Sequence, residues 1–282
     1  MIQWYPGHMA KALREVSEKV RLVDVVMIVL DARVPASSLN PEIVKLVNNK
    51  KVLIVLNKRD KADNSQTALW KKYYETKNYQ VVTVNSKDNS DVKKILAGVK
   101  ELMVEKRAKD ALKGLKPRPI KTMIIGIPNA GKSTIINGLV HKKVATVGDK
   151  PGVTKNQQWI RINQVLELLD TPGILWPKFE NQEIASNLAV TGAIKDEIVD
   201  VYELGKYSLN FYLTYYKNEL VNRYELKDTE LEIDAIYHKI ALKNGLYRND
   251  KTIDFDRVSL LILNDIRSGR LGKITLDRYR NE

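Results

Sequence analysis

Apolar residues along this chain follow two regimes. Up to about residue 176 they gather in short β-branched runs at 25–30, 52–56, 81–84 and 122–125. Between these runs, stretches such as 43–47, 67–77 and 92–104 place apolar residues at helical spacing. Strand-like runs alternating with helix-like ones predict a mostly parallel sheet covered by helices, an α/β fold. Two further strands, 159–162 and 165–169, are separated by Asn163-Gln164, which suits a tight hairpin at the sheet edge. Residues 105–121 are strongly basic and carry Pro117 and Pro119, so they read as a helix end running into an exposed connection, either a solvated linker or an RNA contact. After Trp176-Pro177 the alternation stops, and Tyr and Leu recur at helical spacing in 209–224 and 258–266. Two domains are therefore predicted, an α/β domain over 1–176 and an all-α domain over 177–282.

Composition narrows the classes. The 282 residues are 44% hydrophobic and 29% charged, which is too apolar for a disordered chain. Cysteine is absent, excluding disulfides, thiolate nucleophiles and Cys-ligated zinc or iron–sulfur centres. The longest apolar run, 25–30, is far short of the roughly 20 residues a bilayer span needs, and the N-terminus lacks a signal-peptide core, so the chain reads as cytoplasmic with no membrane partner. Net charge is +13, unevenly spread: residues 1–180 carry 32 basic and 17 acidic side chains, residues 181–282 carry 15 and 17. Such an excess attracts polyanions, for which nucleic acid is the usual cytosolic source.

Five short motifs carry chemistry. Gly126-Ile-Pro-Asn-Ala-Gly131-Lys132-Ser133 fits G-x4-G-K-[ST], after a strand and before a helix, as a phosphate loop requires. Its backbone N–H groups, from Asn129 and Ala130 through Gly131 to Thr134, would turn toward phosphate; Lys132 would neutralise β/γ charge and Ser133 would offer a hydroxyl to Mg²⁺. Asp170-Thr-Pro-Gly173 follows the strand at 165–169, where Asp170 can hold Mg²⁺ through water and Gly173 can offer its N–H to a γ-phosphate. Upstream, Pro151-Gly-Val-Thr154 places Thr154 as the hydroxyl that closes over Mg²⁺. Asn57-Lys58-Arg59-Asp60 ends the strand at 52–56: Asp60 can accept N1–H and N2–H of guanine, while Asn57 and Lys58 brace the loop and cover the base. Asn85-Ser86-Lys87, after the strand at 81–84, would complete that pocket.

The order of these elements, base-reading loops first and phosphate loop afterwards, resembles the circularly permuted Ras-type GTPases. The sequences Trp4-Tyr-Pro-Gly-His8-Met-Ala-Lys11, Asp31-Ala-Arg33-Val-Pro35, Thr191-Gly-Ala-Ile-Lys195-Asp196 and Ile266-Arg-Ser-Gly269-Arg-Leu-Gly272-Lys-Ile-Thr275 are similar to the ribosome biogenesis GTPase A family from end to end. The resemblance implies a bacterial cytoplasmic GTPase that binds GTP and GDP, docks on the immature large ribosomal subunit, supports its late maturation, and contacts rRNA partly through a helical C-terminal domain. A monomer is expected when the protein is free.

Two features leave alternatives open. The position after Gly173, where many relatives carry a water-orienting glutamine, is Ile174, followed by Leu175, and neither can hydrogen-bond a water. His8 is then the family-like candidate to position it, the alternatives being an RNA contact or a helix cap. An RNA-binding scaffold with a structural, slowly turning-over nucleotide site is the competing function. Asn129 resembles the asparagine that in relatives helps hold K⁺ near the β/γ bridge, or else it stabilises the loop turn.

Overall fold

The computed structural model describes residues 7–140, 158–171, 173–175 and 181–279, and the side chains of these from residue 11 onward except that of Gln158. The helix α1 (Gly7–Val20) leads into β1 (Val25–Asp31), α2 (Pro41–Leu46), β2 (Lys51–Asn57), α3 (Asn64–Thr76), β3 (Gln80–Thr83), α4 (Asn89–Leu102), α5 (Val104–Leu112) and β4 (Ile120–Gly126). There follow α6 (Lys132–Val140), β5 (Gln158–Arg161) and β6 (Leu166–Asp170), then α7 (Gln182–Val190), α8 (Val201–Tyr215), α9 (Lys217–Tyr224), α10 (Ile233–Asn244) and α11 (Phe255–Ser268).

The six strands lie in the order β3-β2-β1-β4-β6-β5, parallel except for β5, which pairs antiparallel with β6 at the edge. β1 and β4 are buried along nearly their whole length, as β-branched runs covered on both faces must be. α3 and α4 pack on β2 and β3, and α6 packs on β4 and β6. The chain winds outward from β1 to β3, returns to β4 beside β1, and continues to the other edge. The winding direction thus reverses between β1 and β4, and an open α/β sheet forms its ligand crevice at the strand ends of such a reversal.

Helices begin earlier than their apolar spacing suggests because the caps are polar. Asp63 accepts from the N–H groups of Ser65 and Gln66 ahead of α3, and Asp88 from Ser90 ahead of α4. The basic stretch at 105–121 differs from expectation: it opens with a second helix, α5, no residue of which is buried. Val104, Leu112 and Leu115 are 61%, 89% and 57% exposed beside the cations of α5 and the connection after it.

The helical half is held by Leu204, Leu209, Tyr212, Ile236, Tyr237, Ile262, Leu263 and Ile266, all buried. Beyond α11 the chain returns to the sheet layer. The N–H of Ile274 donates to Lys61 O (3.0 Å), that of Leu276 to Arg33 O (2.7 Å), and Asp277 accepts from the Ser37 N–H (2.7 Å) and the Asn187 amide (2.9 Å). The boundary expected at 176/177 lies outside the described residues.

Candidate functional site

Five parallel strands end on one side of the sheet, and each delivers a piece of the site. At the end of β4, the loop from Gly126 turns through Asn129 (φ 58°) and Gly131 (φ 100°) into α6. Glycine is required at 131: a Cβ there would stand 2.2 Å from Asn57 Nδ2. That amide is the joint of the site. Asn57, fully buried at the end of β2, donates from Nδ2 to Ala130 O (2.7 Å) and accepts at Oδ1 from the Ser86 N–H (3.0 Å). One side chain therefore ties 57–60, 85–87 and the phosphate loop together. Asp60 and Lys87 lie exposed at the rim, with the Lys87 N–H donating to Asn85 Oδ1 (3.0 Å).

Lys58 has φ 61° and pairs through Nζ with Asp31 Oδ2 at 3.0 Å. Burial alone would raise the Asp31 carboxyl, but Arg33 and Lys58 hold it well below the usual carboxylate range. Asp91 does the same for the next loop. It accepts from the Asn85 N–H (2.8 Å), Arg59 Nε (2.5 Å) and Lys94 Nζ (2.6 Å), which outweigh burial and bring its carboxyl down to about 2. Sequence reasoning missed Asp91, which sits among polar residues at a helix start with nothing local to set it apart. It met Asp31 and Arg33 only as a resemblance.

Lys132 Nζ folds onto the carbonyls of Gly126 (3.0 Å) and Ile127 (2.9 Å); burial pulls its pKa down to about 8, with Asp170 opposing. Asp170 is buried, and among the described residues neither carboxylate oxygen has a hydrogen-bond partner. Burial pushes its carboxyl up, with Lys132 opposing. A buried, orphaned carboxylate at the end of β6, close enough to Lys132 to feel its charge, is an oxygen donor that suits a hard cation such as Mg²⁺. Thr171 Oγ1 donates to Ile124 O (2.7 Å), and the Ile174 N–H to Gly126 O (3.1 Å), laying Gly173 against Pro128 so closely that a Cβ would meet Pro128 N at 2.7 Å. Ile174 and Leu175 are fully buried, so the position of the usual glutamine is a core anchor. Asn129 donates from Nδ2 to Gly192 O (2.6 Å), which no sequence pattern announced. Thr154 and the side chain of His8 lie outside the described residues; the backbone of His8 is in the first turn of α1.

A phosphate loop between β4 and α6, joined to strand-end loops that precede it in the chain, defines a P-loop GTPase whose fold is circularly permuted. A family model described as 50S ribosome-binding GTPase matches residues 121–242. Ribosome biogenesis GTPase A of Bacillus cereus is 45% identical over 277 residues, covering 98% of this chain and 94% of its own length. That of Thermotoga maritima is 33% identical over 201 residues, 71% of this chain and 69% of its own. The crystal structure of GNP-bound YlqF from T. maritima shares the fold with a TM-score of 0.66 at 24% identity, covering 95% of this chain and 98% of that one. The chain belongs to the ribosome biogenesis GTPase A family.

Proposed function

We propose that this chain hydrolyses GTP as a cytoplasmic assembly factor for the large ribosomal subunit, monomeric when free, with residues 1–176 as the nucleotide domain and 177–282 as the helical domain. The observation that carries this reading is Asn57, which joins the base loops to the phosphate loop in one hydrogen-bonded unit. Asp60 accepts from guanine N1–H and N2–H, with Lys58, Asn85, Ser86 and Lys87 around the base. The N–H groups of the phosphate loop and Lys132 hold the β/γ-phosphates, and Ser133, Asp170 and Thr154 would hold Mg²⁺. Bound there, Mg²⁺ would neutralise charge on those phosphates, and Asn129 would hold a K⁺ that adds to that neutralisation. His8 positions the water, a role that Ile174 and Leu175 are too buried and too apolar to take. Membership of a GTPase family disfavours the alternative of a purely structural nucleotide site. Among the described residues, no helix is long and apolar enough to cross a membrane.

Of the basic residues near the end of the chain that read as a local RNA contact, Arg267, Arg270, Lys273, Arg278 and Arg280, Arg267 pairs with Asp196 (2.7 Å), Arg270 with Asp265 (2.5 Å) and Arg278 with Asp63 (3.3 Å), Lys273 is exposed, and Arg280 lies outside the described residues. Arg267 and Arg278 are largely covered in these pairs, while the Arg270 side chain stays 57% exposed. The α5 segment keeps Lys109, Lys113 and Lys116 on an exposed helix and its connection, and we assign the salt-dependent rRNA contact there.

The test is sedimentation of the purified protein with immature and mature large subunits, with GDP or a non-hydrolysable GTP analogue, paired with single-turnover GTP hydrolysis. Analogue-dependent binding that favours immature subunits, with hydrolysis accelerated by them, is expected. Equal binding to both subunits and an unstimulated rate would refute the assembly role.

A further inference from the structure

The carbonyls at the end of α7 are taken by side chains from three parts of the molecule. Arg267 of α11 donates from Nη2 to Ala189 O (2.8 Å) and from Nε to Val190 O (3.0 Å). Arg33, after β1, donates from Nη2 to Thr191 O (3.3 Å), and Asn129 of the phosphate loop from Nδ2 to Gly192 O (2.6 Å). Helix ends leave their last carbonyls without intrahelical partners, and here the nucleotide half supplies two of the caps.

Arg33 also faces the other way. Its Nε and Nη2 hold Asp31 at 3.0 and 2.7 Å, and Asp31 Oδ2 holds Lys58 Nζ at 3.0 Å. A line of charge-assisted contacts therefore runs from the base-covering lysine to the turn after α7. Arg33 is fully buried, yet its Nη1 has no hydrogen-bond partner among the described residues. The same is true of the Tyr212 hydroxyl on α8, across the junction, and each group feels the other electrostatically. Buried polar groups are rarely left unpaired, and two orphaned groups on opposite sides of one junction are what a junction with a second packing would leave open.

We propose that Arg33 is a positioning residue that couples guanine-nucleotide occupancy to the seating of the helical half, through Asp31 and Lys58 on one side and Thr191 on the other, and that the Arg33–Tyr212 contact, open in this arrangement, closes in the alternative one. The inference rests on the GTPase reading.

Two variants of the full chain test it. Tyr212→Phe removes a hydroxyl that only the second arrangement pairs. The thermal midpoint should hold or rise, while the ratio of the Kd for GDP to that for the non-hydrolysable GTP analogue shifts by about fivefold, the lower end of ordinary couplings. Arg33→Lys keeps a charge beside Asp31 but cannot bridge Asp31 and Thr191. Amide exchange at 189–193 should stop responding to nucleotide in that variant. A merely structural role changes the midpoint and leaves both readouts alone. An unchanged Kd ratio in Tyr212→Phe, together with a parental exchange response in Arg33→Lys, overturns the coupling while the GTPase reading stands. A parent chain that binds no guanine nucleotide overturns both.

Discussion

Lys132 lies within the phosphate loop, bonded to the carbonyls of Gly126 and Ile127, and its ammonium is already close to neutrality at mildly alkaline pH because burial pulls its pKa down to about 8. Phosphate anions favour the charged form, so binding GDP raises that pKa and takes up a proton when the free protein has lost it. The sign follows: affinity is full below pH 8 and falls as pH rises through 8, by up to about tenfold per unit. Calorimetry between pH 7 and 9 in buffers of different ionisation enthalpy should show this uptake, and Lys132→Met should show none. Asp60 makes a different prediction, since its carboxylate is exposed past the end of β2 and, in the proposed reading, meets the base. Asp60→Asn should weaken GTP binding by about 10²-fold or more and shift preference toward xanthosine triphosphate, whose extra carbonyl suits an amide donor. Unchanged GTP affinity would remove Asp60 from the pocket.

At the scale of elements, α5 and the Asp170–Leu175 segment carry the informative tests. Neutralising Lys109, Lys113 and Lys116 to Gln should leave stability nearly unchanged, because α5 has no buried residue, and should weaken large-subunit binding. If each lysine meets a phosphate, the slope of log affinity against log salt falls by about 0.7–0.9 per residue. An unaltered slope places the contact elsewhere. Restoring the usual glutamine with Ile174→Gln should not speed hydrolysis. Ile174 is fully buried, and an amide forced into that site costs about 2–4 kcal/mol, visible as a lowered denaturation midpoint. Faster turnover in that variant would show that the segment leaves the core during the reaction.

For the whole molecule, Asn129 concerns both halves, because it lies in the phosphate loop and donates to Gly192 of the helical half. K⁺ should raise turnover above the rate in Na⁺ at equal ionic strength, and Asn129→Ala should abolish the difference. The same change deletes a hydrogen bond across the junction and should cost about 0.5–1.5 kcal/mol of stability in either salt. Equal parental rates in the two salts would retire the cation and leave Asn129 as a strut between the halves.

What the sequence alone determined was the local chemistry. The strand runs, the phosphate loop, Asn57–Asp60 and Asp170–Gly173 were legible because each is set by near neighbours: a β-branched run, a glycine at a forced turn, a carboxylate at a strand end. Their permuted order was legible for the same reason, since order is a property of the chain. Tertiary structure decided which polar groups meet across long separations. Asp91 holding the Asn85 loop, Arg33 reaching Thr191, Asn129 reaching Gly192, and Arg267 and Arg278 drawn onto Asp196 and Asp63 have no sequence period to announce them. A charge reads the same in sequence whether it faces solvent or a buried carboxylate, and only the packing of the two halves, with its desolvation of some cations and exposure of others, separates the two cases.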